Sequence, residues 1–254
     1  MTKIKTQKEI RTMREAGGML ARVLVAVERG AKAGMTTKDL ANIAKNELKA
    51  LGGQPSFLGY QGFPDVLCVS VNDEIVHGIP SDKRVLQEGD LVSVDFGVTL
   101  DGLVTDSAMS FFIGEVKDRQ KRELLATTSV ALENAISVLK GGIRVGDISA
   151  AAQTTIEEHG FGIVRDLVGH GVGHELHELP NIPNFGRSGT GPKLLTGMTV
   201  AIEPMVTLGA HQVVIDPDGW TVRTADGSLA AHFEHTILIT ENGYEILTDR
   251  TKVS

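Results

Sequence analysis

The sequence predicts an α/β (α+β) sandwich, in which two helix pairs cover an antiparallel sheet with pseudo-two-fold symmetry. Three observations lead there. Apolar residues recur at helical spacing in four segments that fall into two pairs. Each pair runs into strand-like sequence. The two halves also echo one another: "GAKAGMTTKDLA" (30–41) resembles "GIRVGDISAAAQ" (142–153), with both glycines displaced by 112. "LQEGDLVSVD" (86–95) resembles "LLTGMTVAIE" (194–203), displaced by 108, and in both a glycine precedes an apolar strand that ends on a carboxylate. No linker or low-complexity stretch divides the chain. Residues 1–254 therefore read as one domain with halves of about 1–115 and 116–254.

The helices follow in order. The first starts near Thr6, where Glu9 can complete a capping box, and Ile10, Met13, Leu20, Val23, Leu24 and Val27 share a face. A second runs from about Thr37 to Leu51, with Leu40, Ile43, Ala44, Leu48 and Leu51 inward and Gly52 as C-cap. A third is expected from about Asp118 to Lys140, stopping at "GG". A fourth is expected from about Asp147 to His159, stopping at Gly160.

Composition narrows the function class. The 254 residues are 41% hydrophobic and 22% charged, enough to bury a substantial core. A net charge of −7 argues against a nucleic-acid partner, which needs clustered cations. The start "MTKIKTQKEI" has no apolar signal region, and no run reaches the length of a membrane span. Cys68, the one cysteine, can form no intramolecular disulfide. These features predict a cytoplasmic protein, expected to be monomeric.

The acids carry the chemistry. In "VSVDFGVTLDGLVTDSAMSFF" (92–112), two β-branched runs flank Asp101-Gly102, a hairpin signal. An even-length loop puts Asp95 and Asp106 on one face of the ribbon. They are directly opposite with a Leu100-Asp101 turn, or one diagonal step apart with an Asp101-Gly102 turn. Like charges so placed repel, so they are exposed, share a proton, or bind a metal. Glu203, at the end of "TVAIE", and Glu234, inside "AHFEHTILIT", repeat the problem. Each alone is compatible with an outward-facing strand acid. Four such carboxylates and one histidine resemble the ligand field of a paired hard divalent cation site.

The stretch "DLVGHGVGHELHE" (166–178) supplies His170, His174 and His177. It lacks the His-Glu-x-x-His pattern of a zinc peptidase helix, and no thiolate is near for a structural zinc. "GRSGTGPK" (186–193) has proline where a phosphate-binding loop needs lysine. What remains is a loop presenting imidazoles towards the carboxylates, or a polar glycine turn.

At this point the residues resemble a known family. Asp95, Asp106, His170, Glu203 and Glu234, with "SVNDEIVHGIP", "GHGVGHELHE", "IEPMV" and "FEHTILIT", are similar to the motifs of type I methionine aminopeptidases over nearly the whole chain. The resemblance implies the pita-bread fold and removal of the initiator methionine from nascent chains whose second residue is small. It implies two divalent ions, with cobalt, manganese, iron(II) and zinc as candidates. Asp95 would hold one ion, His170 and Glu203 the other, and Asp106 and Glu234 both. Glu203 would also shuttle the proton. His177 matches the histidine that hydrogen-bonds the scissile amide, and His77 the one beside the leaving nitrogen. His174 receives no role.

Phe57, Tyr60, Phe63, Cys68, Leu176 and Trp220 resemble the lining of a methionine pocket. Xaa-Pro aminopeptidases usually carry a large extra N-terminal domain, and the helices here begin within ten residues. Type II enzymes usually carry a helical insertion, for which the span from His170 to Glu203 is too compact. A metal-free binding module would have lost at least one ligand. The implied partners are nascent N-termini near the ribosome, with no nucleic-acid substrate and no membrane. The start "MTK" also predicts excision of Met1, because Thr2 is small.

Overall fold

The structure, a computed structural model, describes residues 2–253, so Met1 and its excision lie outside it. Helix α1 (Gln7–Gly30) starts at Thr6. The Thr6 hydroxyl accepts the Glu9 amide, and the Glu9 carboxylate accepts the Thr6 amide at 2.7 Å. Helix α2 (Thr37–Leu51) repeats the device with Thr36 and Asp39, and ends on Gly52 in the left-handed region at φ 83°. There a side chain is strained and glycine is not. The short strands β1 (Gln54–Pro55), β2 (Cys68–Val71) and β3 (Glu74–Val76) follow.

The hairpin of β4 (Leu91–Leu100) and β5 (Leu103–Phe112) turns at Asp101-Gly102, both at positive φ, as a two-residue primed turn requires. Its register pairs Asp95 with Ala108 and Gly97 with Asp106. Asp95 and Asp106 thus stand one diagonal step apart on one face.

In the second half, α3 (Arg119–Ser137) starts from the Asp118 side chain, which accepts the amides of Gln120 and Lys121. It ends three residues before Lys140. The Gly141 and Gly142 amides leave the helix to donate to the carbonyls of Thr240 and Leu194. Helix α4 (Val145–Glu158) begins two residues before Asp147, whose carboxylate reaches back to the Arg144 amide at 3.1 Å. An acid read as the start of this helix is its third residue.

Ten short strands follow. They are β6 (Gly162–Ile163), β7 (Gly169–Gly171), β8 (Glu178–Ile182), β9 (Thr199–Ile202), β10 (Met205–Thr207), β11 (Val213–Ile215), β12 (Val222–Thr224), β13 (Ala230–His232), β14 (His235–Ile239) and β15 (Tyr244–Ile246). β4 pairs with β1, β2 and β5. The order β15-β14-β9-β7-β8 forms a five-stranded sheet, and β13-β10-β6 and β11-β12-β3 form two three-stranded ones. The pairings are antiparallel.

The echo between the halves has a single offset of 108. Thr36 bridges Val85 as Arg144 bridges Lys193. The Gly34 amide donates to Leu86 at 2.9 Å, as the Gly142 amide does to Leu194 at 2.7 Å. Gln54 pairs with Thr99 as Gly162 pairs with Thr207. The offset of 112 read for the first echo is therefore a four-residue slip. Both strings carry glycines four apart, Gly30 and Gly34 against Gly142 and Gly146, so they align in two registers. Tertiary pairing selects the register that equates Gly34 with Gly142, at φ 88° and 89°.

Each half has its own apolar cluster. Leu20, Leu24, Val94 and Phe96 lie in the first, Leu132, Ile136, Val200 and Ile237 in the second, and Phe233 packs against both. The halves meet along β5 and the β13–β14 segment. Ser107 Oγ donates to the Glu234 carbonyl at 2.6 Å, and the Glu234 amide donates to the Ala108 carbonyl at 2.9 Å. This seam brings the two sets of acids together.

Candidate active site

A cavity of about 170 Å³ opens beside the seam. Asp95 and Asp106 reach it from the first hairpin, Glu203 from the end of β9, and Glu234 from the link between β13 and β14. His170 enters from β7, and His77 and His177 from loops. Phe57, Tyr60, Phe63, Cys68, Leu176 and Trp220 make the apolar wall. The fold thus gathers every site residue singled out in the sequence around one space, and adds Gln61. Gln61 sits in a turn with φ 48°, and no sequence signal marks it. A larger groove of about 1090 Å³ lies beside α3 and α4; of its two acids, Asp147 and Glu158, the first is engaged by Ser188 and Gly189.

The carboxylates sit in an environment that disfavours their charge. Burial, reinforced by neighbouring carboxylates, pushes Asp106, Glu203 and Glu234 well above the usual carboxylate range. Burial raises Asp95 to about 7. Asp95 Oδ1, Asp106 Oδ1 and Glu234 Oε1 are buried with no hydrogen-bond partner. Ligand atoms of Asp106, His170 and Glu234 lie within 4.8 Å of one another. Such a set needs protons or cations to offset it. An oxygen-rich donor set with one imidazole fits a hard or borderline divalent ion.

His170 is prepared as a donor. Its Nδ1 lies 2.9 Å from the Gly171 carbonyl, which only an Nδ1–H can satisfy, so the Nε2 lone pair faces the acids. That Nε2 lies 3.4 Å from Glu203 Oε1 and 4.0 Å from Asp106 Oδ2. Burial lowers its pKa to about 4, which keeps the ring neutral.

The other two cavity histidines stand nearer the mouth. His177 Nδ1 and the Tyr60 hydroxyl share a hydrogen bond of 2.8 Å, and the His177 ring lies 4.4 Å from that of His170. One side of His177 is open, and enclosure of the other lowers its pKa. His77 holds a left-handed backbone at φ 59°, a conformation that costs about 1 kcal/mol or more for a residue with a Cβ. Its enclosure lowers its pKa to about 4. Trp220 stands edge-on to both Phe63 and His77. Burial pushes the Cys68 thiol up, so it lines the wall as a small neutral group.

His174 points away from the cavity. Its Nε2 meets Glu9 of α1 at 2.7 Å, a tie between the histidine loop and the first helix. Glu178 orders the same loop by accepting the amides of His174 and Glu175, at 2.7 Å and 3.1 Å. The buried Lys5 ammonium lies 3.7 Å from its other oxygen.

Residues 11–241 match metallopeptidase family M24. A methionine aminopeptidase of Clostridium acetobutylicum is 47% identical over 245 residues, 96% of this chain and 98% of that one. The chain belongs to the methionine aminopeptidases of family M24. Methionine aminopeptidase 1 of Bacillus subtilis is likewise 47% identical, over 96% of this chain and 98% of its own. The crystal structure of the methionine aminopeptidase from Thermotoga maritima superposes with a TM-score of 0.96 at 50% identity, covering 98% of this chain and 100% of that one. A prolidase from Pyrococcus furiosus shares the fold at a TM-score of 0.76 and 26% identity, and the chain covers 65% of it. The chain has the pita-bread fold that these relatives share, and its family is one of metallopeptidases. Among the described residues no helix is long and apolar enough to cross a membrane.

Proposed function

We propose that the protein removes the initiator methionine from nascent chains whose second residue is small, using two divalent cations. The observation that carries this reading is the convergence of Asp106, Glu234 and His170 ligand atoms within 4.8 Å of one another, with Asp95 and Glu203 on the same wall, beside an apolar pocket. Asp95, Asp106, His170, Glu203 and Glu234, which line the same cavity, would hold the ions. Bound divalent cations supply Lewis acidity and make water nucleophilic near neutral pH. The sequence and fold admit cobalt, manganese, iron(II) or zinc.

The side chains divide the remaining work. Glu203 takes a proton from the attacking water and passes it to the leaving amine. His177, braced by Tyr60, hydrogen-bonds the scissile amide and steadies its developing charge. His77 stands beside the leaving nitrogen. Phe57, Tyr60, Phe63, Cys68, Leu176 and Trp220 receive the methionine side chain, a flexible and polarizable group suited to a wall of rings and a thiol. The acids at the foot attract a free α-amine, which restricts cleavage to one residue. The partners are nascent N-termini close to the ribosome, the enzyme is a monomer, and its place is the cytoplasm.

The test is release of free methionine from Met-Ala-Ser by metal-stripped protein, with each of the four metals restored in turn. Metal-dependent release, absent with an Xaa-Pro peptide and lost in Asp106→Asn, is the expected result. Cleavage of the Xaa-Pro peptide alone moves the protein to the prolidase side of the fold. No release with any metal overturns the reading.

A further inference from the structure

His232 is a buried imidazole for which the reaction above has no use. It lies on β13 opposite Met205, as Asp106 lies on β5 opposite Gly97. Gly97 and Met205 are related by the offset of 108, so His232 holds in the second hairpin the register position that Asp106 holds in the first. The residue is 1% exposed, and neither Nδ1 nor Nε2 has a hydrogen-bond partner. His170, His177 and His235, by contrast, each engage Nδ1. The backbone of His232 is fixed, because Ser110 Oγ accepts its amide and donates to its carbonyl, both at 2.9 Å. Its Nε2 lies 3.9 Å from Glu203 Oε2. Glu203 is also pinned from behind, by Asn184 Nδ2 donating to its carbonyl at 3.0 Å.

A buried ring with two idle nitrogens is costly unless a partner completes it. A rotation of the Glu203 carboxyl that moves Oε2 by about 1 Å brings it to hydrogen-bond length. We propose that His232 is a positioning residue for Glu203, its Nε2–H donating to Oε2 and leaving Oε1 free to face His170 and the bound ion. Glu203 then has one oxygen that is held and one that works. The role of Glu203 rests on the function proposed above; the orientation of its carboxyl does not.

The test compares His232→Met, His232→Gln and His232→Asn in the full-length protein. Manganese binding to metal-stripped protein is measured by calorimetry, and steady-state kinetics are run on Met-Ala-Ser. Met fills the space without a donor, Gln keeps an N–H of similar reach, and Asn falls short by one methylene. In His232→Met the manganese affinity drops about tenfold with the number of ions unchanged, and kcat falls roughly ten- to a hundredfold while KM stays within about twofold. Gln restores most of both losses and Asn does not, a comparison that stands even if His232→Met fails to fold. Equal affinity and kcat in all folded variants make the ring a filler and overturn the proposal. Loss of one whole manganese equivalent makes it a ligand and overturns it too. If the wild type binds manganese but releases no methionine, the proposed activity falls alone and the calorimetric comparison still decides His232.

Discussion

The Asp106 amide donates to Thr236 Oγ1 at 2.8 Å, and the same hydroxyl donates to the Asp106 carbonyl at 2.7 Å. One threonine of the second half thereby completes both main-chain groups of a carboxylate residue of the first. The buried Thr236→Val keeps the shape and strands an N–H and a C=O. We expect it to cost about 1–3 kcal/mol, while Thr236→Ser costs less than 1.5 kcal/mol. Urea unfolding of the two variants checks this, and equal loss in both would point to packing instead.

Arg223 joins distant segments in the same way. It meets Asp216 at 2.7 Å, Asp73 at 3.1 Å and Glu74 at 3.0 Å, and Glu74 also accepts the Val71 amide at 2.7 Å. Burial already raises the Glu74 pKa, so Arg223→Met leaves that acid without its counter-charge. The guanidinium is 28% exposed, which lets water screen part of the loss, and about 1–3 kcal/mol is expected. Adding Glu74→Gln should return part of it. A double variant no better than the single one would show that Glu74 is not the stranded group.

The metal-stripped protein should become less stable as pH rises above about 6.5. The site carboxyls have folded pKa values above their unfolded ones, Asp95 near 7 and the other three well raised, so their stabilising protons are lost as pH climbs. His77 and His170, held near 4, and His232, near 3, act in the opposite sense. Their contribution is complete once pH passes the ordinary histidine value of about 6.5. Above that point the acids act alone, at up to about 1.4 kcal/mol per pH unit for each carboxyl that ionises. Melting curves from pH 6.5 to 8.5, with and without manganese, are the measurement. The stripped protein should lose stability steadily, and the loaded protein should hold. A flat or rising curve for the stripped form would refute the reading.

The Tyr60–His177 hydrogen bond predicts a graded pair of kinetic effects. Tyr60→Phe keeps the ring and removes the brace, so kcat should fall by roughly two- to tenfold, the rate equivalent of one neutral hydrogen bond. His177→Ala removes the group itself and should cost about a hundredfold or more in kcat, with KM changed far less. Steady-state kinetics on Met-Ala-Ser would show both. An effect of His177→Ala confined to KM would mean that His177 binds substrate without steadying the transition state.

The sequence by itself determined what depends on neighbours along the chain. Thr6 with Glu9 and Thr36 with Asp39 lie three residues apart, so the capping boxes could be read directly. Gly52 and Asp101-Gly102 carry their backbone preference with them, and an even-length turn put Asp95 and Asp106 on one face; the structure's Asp101-Gly102 turn then chose the diagonal step over the direct pairing. The acids were legible for a related reason, while His77, His170 and His177 were singled out by the resemblance to the methionine aminopeptidases. A carboxylate at the end of an apolar strand, repeated in each half, is a local anomaly that asks for a partner.

Tertiary structure decided what depends on atoms brought from far along the chain. It chose 108 over 112, because only long-range pairing separates two glycines four apart. It ended α3 early, since Gly141 and Gly142 bond to Thr240 and Leu194 rather than to their own helix. It turned His174 towards Glu9, 165 residues away, and put Gln61 on the cavity. It also left His232 with two idle nitrogens beside Glu203. Hydrogen bonds and charges act over a few ångströms, and the chain alone does not say which residues will share them.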